Sequence, residues 1–245
     1  MGKLFVFIVG LASISSLDAK ELVYLYTYHK KPPFIVSQVE QQGLYYDLAK
    51  LLSEQSDNYE FKTIYVPRKR LDVMVVRENF DGIVIGVSPA WFKDKQETKY
   101  LWTQGFFPDR DEFVSLTSTP FEYNDIESLS GRIVGSVAGY YYFGVNEGVR
   151  KGTIERIDTV GELEVLKLIE KQRVDIGLVS SSVFKYLRKA GVINNVFHFS
   201  KHPHDEFVRR AFTTKNNQSL HQEVVEMLEE LEDSGKLPEV IAMYQ

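Results

Sequence analysis

Cysteine is absent from all 245 residues, so neither a disulfide, nor a thiolate metal site, nor a lipid-bearing cysteine can contribute to this chain. Its stability must rest on a hydrophobic core. A basic excess is also missing: 29 Lys and Arg against 34 Asp and Glu leave a net charge of −5, which does not suit a polyanionic nucleic acid. With 8 Pro and 16 Gly there is no collagenous or low-complexity segment. No Walker loop and no G-x-S-x-G elbow occurs, and no cofactor motif takes their place.

Long apolar runs are scarce too. The one at the N-terminus, Leu4 to Leu11, falls short of the roughly 20 residues a membrane span needs. Lys3 precedes it and Ser-rich residues lead to Ala19, so residues 1–19 read as a secretory signal peptide cut before Lys20, with a retained membrane anchor as the alternative. Cleavage removes Lys3 and Asp18, one charge of each sign, and the mature chain keeps its charge of −5. Without a cysteine to carry lipid, the expected product is a free periplasmic protein.

What is present is a globular composition, 44% hydrophobic and 26% charged, long enough for one large domain or two lobes of about 100 residues. Leu22–Thr27 reads as a strand, which the Pro-containing segment His29–Phe34 ends. After Gly43, Leu44, Leu48, Leu51 and Leu52 fall at i, i+4, i+7 and i+8 on one face of a helix. Phe61–Val66 is a second strand, Leu71–Val76 a helix preceded by the basic residues Arg68, Lys69 and Arg70, and Phe80–Val87 a buried parallel strand ending at Ser88.

The pattern then repeats. An extended stretch follows Pro108, a strand covers Arg132–Val137, and Thr159 with Glu162 spells a capping box for a helix to about Gln172. Val174–Val179 is another buried strand, running into Ser180, Ser181 and Ser182, where a serine can cap the next helix. Phe207–Thr213 is extended and returns the chain to its first half, and Ser219 with Gln222 spells a second capping box before a long amphipathic helix. The expectation is an α/β protein of two Rossmann-like lobes joined by two crossing hinge strands: lobe 1 from 20–110 and 208–245, lobe 2 from 111–207.

Between these elements lies IVGSVAGYYYF, Ile133 to Phe143, a strand running into a glycine turn that offers backbone amides to an anion and three tyrosines to a cleft. If the tyrosines begin a helix, their rings diverge by about 100° per residue, so Tyr140 and one neighbour face inward. An ordinary βα turn is the plain alternative.

Taken in order, PPF with GLYYDLAKLL, FDGIVIGVS, LSGRIVGSVAG, RVDIGLVSSSVFKYL and the tail LEDSGKLPEVIAMY resemble the bacterial extracellular solute-binding proteins of family 3 across nearly the whole mature chain. The resemblance implies the type II periplasmic binding protein fold, a small-molecule ligand enclosed by hinge closure, a monomer, and delivery to an inner-membrane ABC permease. A membrane receptor in place of the permease, or a cleft enzyme such as a cyclic-acid dehydratase, are the alternatives.

In family members that bind amino acids, an arginine after the third strand grips the ligand carboxylate and an aspartate after the second lobe's strand takes the ammonium. Matched without gaps, those positions carry Lys93 and Ser180, so the resemblance implies a departure from ordinary amino-acid recognition. Arg68 or Arg70 could supply the missing carboxylate contact, as in a subgroup with an arginine after a proline. Tyr28, Ser88, Trp91, Tyr140 and Tyr141 complete the candidate ligand-binding set. The histidines at 198, 202 and 204 are interrupted by Pro203 and read as surface residues rather than a metal site. Asp109, Glu112 and Asp205 are candidate acids for an enzyme, with hinge ion pairs as the plainer account.

Overall fold

The computed structural model describes residues 19–77 and 79–245. The signal-peptide reading falls almost entirely on residues outside that range. Among the described residues ten strands form one continuous ladder in which β1 (Glu21–Thr27) is flanked in parallel by β2 (Tyr59–Tyr65) and β3 (Ile83–Val87). On the other side β6 (Ile133–Val137) is flanked in parallel by β7 (Glu155–Thr159) and β8 (Ile176–Ser180).

Two long strands connect these parallel groups. β5 (Phe107–Leu116) pairs antiparallel with β8, and β10 (Asp205–Thr213) pairs antiparallel with both β5 and β3. Within β10 the register shifts between Arg210 and Ala211: residues up to Arg209 face β5, and those after it face β3. Such a shift bends a strand and changes its partner. One strand thereby belongs to both lobes. Two short strands, β4 (Leu101–Trp102) and β9 (Phe197–Phe199), pair with β10 and β5.

Helices cover both faces of each parallel group, as parallel strands require. Against one face of the first group lie α1 (Leu44–Gln55), α6 (Gln218–Asp233) and α7 (Lys236–Ala242), burying Leu44, Leu48, Leu52, Val224, Leu228 and Leu231 in one cluster. Each such leucine is worth about 2–5 kcal/mol against alanine. The other face is aromatic, with Phe92 packed edge to face against both Trp102 and Phe212. In the second group α4 (Glu162–Glu170) and α5 (Ser181–Lys189) cover one face, and α3 (Val145–Lys151) the other.

Gly43, which precedes α1, has φ 132°, and a Cβ there would stand 2.6 Å from the Phe34 carbonyl oxygen. Glycine is required by both conformation and space.

Several local expectations are corrected. The basic helix α2 spans Arg68–Met74, so its cations sit in the first turn rather than ahead of it, since Pro67 already supplies the fixed φ of a helix start. Neither capping box forms. Gly161 precedes α4 and Asn217 precedes α6, with no side-chain cap bond at either. Thr159 ends β7, and Glu162 turns away from its own helix toward Ser180. Ser180 precedes α5 without capping it. Tyr140–Phe143 are not helical, and the helix after the glycine turn begins only at Val145.

Candidate functional site

β1 ends by delivering Tyr28, His29 and Lys31 to the interval between the lobes. Arg68, from the first turn of α2, locks onto this segment: Nη1 donates to the Tyr28 hydroxyl at 3.1 Å, Nη2 to the Trp91 carbonyl at 2.6 Å, and Nε to Asp72 at 2.8 Å. Its guanidinium stacks 4.3 Å from the Phe92 ring centre and 4.9 Å from that of Tyr28. A planar fork can satisfy all of these at once, which an ammonium cannot.

His29 is buried, and burial, followed by the charges of Arg209, Lys31 and Arg68, drives its pKa well below the ordinary value. The ring is neutral. Arg209 Nη1 lies 3.4 Å from His29 Nε2 and can only donate, so the imidazole proton sits on Nδ1, a buried atom with no protein partner. The Tyr45 hydroxyl is likewise buried and unpartnered. Gly86 makes room for it: a Cβ there would lie 1.7 Å from the Tyr45 oxygen.

At the crossing strands, Arg209 of β10 and Asp109 of β5 form an ion pair with both side chains only 1% exposed. Nε and Nη2 reach Asp109 Oδ2 at 3.2 and 2.8 Å, Nη1 donates to the Gly86 carbonyl at 3.1 Å, and the guanidinium stacks 4.3 Å from the Phe34 ring centre. Burial opposes ionisation of Asp109, but Arg209, Lys31 and the Ser182 hydroxyl outweigh it and hold the carboxyl below its usual range. The pair therefore stays charged.

The second lobe contributes a compact polar cluster. Glu162, the first residue of α4, accepts from the Ser180 amide at 2.8 Å, and its other oxygen lies 3.1 Å from the Ser180 hydroxyl. Asp111 Oδ1 is also 3.1 Å from that hydroxyl. Into this cluster reaches Lys31 from the first lobe, donating to Glu162 and, at 2.7 Å, to Ser180 Oγ, with its ammonium 5.6 Å from the Tyr140 ring centre. Ser180 has one hydroxyl proton and two carboxylate neighbours, so one carboxyl must supply a proton of its own for both contacts to be hydrogen bonds. Below about pH 6 Asp111 fits that role. Burial pushes its pKa up to about 6, with Lys31 opposing and Glu162 adding to the rise.

The glycine turn is organised by Arg156 of β7, whose guanidinium donates to the carbonyls of Val137 and Tyr140, each at 3.1 Å, and to Asn146 Oδ1 at 2.9 Å. Non-helical backbone through 140–142 brings the Tyr140 and Tyr142 rings to 6.4 Å between centres and leaves Tyr141 exposed. The amides of Ala138, Tyr140, Tyr142 and Gly144 are already used internally, which corrects the expectation of an open anion-binding turn.

No protein-family model and no curated protein matches the sequence. Solved structures do match the fold. A substrate-binding protein of an ABC uptake transporter from Streptococcus pneumoniae, with bound histidine, aligns with TM-score 0.71 at 13% identity over 91% of this chain and 92% of its own. The GluR0 ligand-binding core from Nostoc punctiforme, in complex with L-glutamate, aligns at 0.68 and 15% identity over 91% and 98%. The chain has the two-lobed type II periplasmic binding protein fold. An ancestral amino-acid-binding protein, a precursor of cyclohexadienyl dehydratase, shares that fold at TM-score 0.66 and 14% identity over 91% and 95%.

Within this type II fold the expected residues separate into two groups. Tyr28, Arg68, Trp91, Tyr140 and Ser180 come together: Tyr28 stacks on His29 at 4.1 Å, His29 lies 5.8 Å from Trp91, and Lys31 joins Tyr140 to Ser180. Ser88 is half-buried just before Trp91. Arg70, Lys93 and Tyr141 do not join them. Arg70 is exposed on α2, Lys93 is exposed in a left-handed turn with φ 54°, and Tyr141 is 63% exposed and bonded to Glu147.

Among the candidate acids, Asp109 is committed to Arg209 and Glu112 is buried against Arg110, while Asp205 is exposed. Sequence reading missed Lys31, Asp111, Glu162 and Arg209. The first two stand beside residues it did single out, and Glu162 was taken for a cap.

Proposed function

We propose that the chain is a periplasmic solute-binding protein. It closes two lobes, 20–110 with 208–245 and 111–207, on a small polar or aromatic ligand, an amino acid or related compound with anionic candidates included. In this reading it works as a monomer, binds without turnover, and hands the ligand to an inner-membrane ABC permease. The observation that carries it is the set of charged and aromatic side chains from both lobes converging where β5 and β10 cross: Tyr28, His29 and Arg68 on one side, Tyr140, Glu162 and Ser180 on the other. The ABC-transporter protein with the same fold supports the partner, and the ligands named for that protein and the receptor core, histidine and glutamate, support the ligand class.

The test is a thermal-shift screen of residues 20–245 against L-amino acids, polyamines and small organic acids, followed by calorimetry. A true ligand at 100 times its Kd adds about 2.7 kcal/mol to stability. A screen in which no compound of these classes raises Tm overturns the reading.

One observation favours a second reading, a cleft enzyme. Asp111, with its carboxyl near 6, is placed to donate a proton, and a protein of this fold is a precursor of a dehydratase. Turnover of a cyclohexadienyl acid by the pure protein would replace the binding-only reading.

A further inference from the structure

The cluster on the second lobe is built to hold a cation, and the cation it holds belongs to the opposite lobe. Glu162 and the Ser180 hydroxyl accept from the Lys31 ammonium, the Asp111 carboxyl stands one hydrogen bond behind, and the Tyr140 ring offers its face. Three acceptors of different kinds around one –NH3+ group match its three donors. Lys31 sits on the segment between β1 and α1, and its side chain is only 11% exposed. A bond joining two lobes that must separate to admit a ligand breaks at every opening, so the occupant of this seat is exchangeable.

We propose that Lys31 is an internal stand-in for a ligand's ammonium group, latching the lobes together without ligand and giving way when a cationic nitrogen enters the same seat. The inference rests on the solute-binding reading and deepens it by naming the ligand's class: a compound with a primary ammonium. It also accounts for Ser180 at a position where the family resemblance implies an acid. The acid comes from Glu162 and Asp111 on either side of it.

The latch is tested without any ligand, by small-angle X-ray scattering of residues 20–245 and of the Lys31→Met and Glu162→Gln variants. Lys30→Met, which alters an exposed lysine over Tyr65, serves as control. A compact chain of this size has a radius of gyration of ~17 Å. Lys31→Met and Glu162→Gln should each raise it by about 1 Å through hinge opening, with circular dichroism unchanged. Both variants scattering like the wild type overturns the latch, whatever a ligand screen returns.

Displacement is tested with L-histidine and L-glutamate against their deamino analogues, imidazolepropionate and glutarate. Lys31→Met should bind the amino acids at least about tenfold more tightly than the wild type does and the analogues no more tightly. Weaker or unchanged binding of both amino acids overturns displacement. Failure of all four compounds to bind either protein counts against the ammonium class and, if the wider screen also fails, against the solute-binding reading itself.

Discussion

Replacing Asp109 with asparagine changes two atoms' chemistry and almost no volume, at a point where both lobes meet. In the wild type Arg209 gives two bonds to Asp109 Oδ2 and one to the Gly86 carbonyl, while Asp109 also accepts from the Ser182 amide at 3.1 Å and hydroxyl at 2.7 Å. Asparagine leaves the guanidinium buried among Phe34, Trp91 and Phe207 without its hydrogen-bonded counter-charge. Removing one partner of a buried pair costs about 3–5 kcal/mol, a large share of the roughly 5–15 kcal/mol that holds a domain folded.

Urea unfolding at pH 7 measures the loss. Tryptophan fluorescence reports the first lobe, where Trp91 and Trp102 both lie, and circular dichroism reports both lobes. Because the pair ties β5 to β10, both signals should shift to lower urea. The pH dependence gives a second check. Asp109 has a lowered carboxyl pKa, so its stabilisation is present above the ordinary value near 3.8 and is lost only as pH falls through the lowered one. The gap between wild type and variant should hold from pH 7 to about 4 and close below. A loss under about 1 kcal/mol, the scale of a surface pair, would refute the reasoning.

Asp111→Asn should do the opposite: the wild-type carboxyl is raised to about 6, a contribution full below its ordinary pKa and lost as pH rises through 6, so the variant should gain about 1–3 kcal/mol relative to wild type between pH 4 and 7 in the same urea assay. Gly86→Ala, with φ 78° and the Tyr45 oxygen in the way, should cost about 2–4 kcal/mol, seen as a lowered Tm. Once a ligand is in hand, Tyr140→Ala should weaken calorimetric affinity at least about tenfold, whereas Arg70→Ala and Lys93→Ala should leave it within about twofold because both side chains are exposed.

The elements that could be read from sequence are those that bury a face. Leu44, Leu48 and Leu52 mark α1 because a helix on a sheet must place apolar groups at that spacing, and the runs ending at Val87 and Ser180 mark strands covered on both sides. The site resisted for a related reason. A capping box and a cleft carboxylate use the same residue at the same place, and nothing local in Thr159–Glu162 says that the glutamate turns to Ser180 instead of its own backbone. What decides it is Lys31, 131 residues away in the chain, whose ammonium can be buried only if an acid meets it.

The same logic inverts the meaning of Ser180. Read alone, a neutral residue at an acid's position signals a ligand without an ammonium. With Glu162 and Asp111 beside it, the hydroxyl joins two carboxyls, so an acid's charge is still present at that point. Two acids so close cannot both ionise cheaply: burial raises the Asp111 pKa, and the charge of Glu162 adds to the rise. One cation in the seat relieves it. Lys31 supplies that cation within the chain, and on the proposed reading a solute must match its charge to take its place.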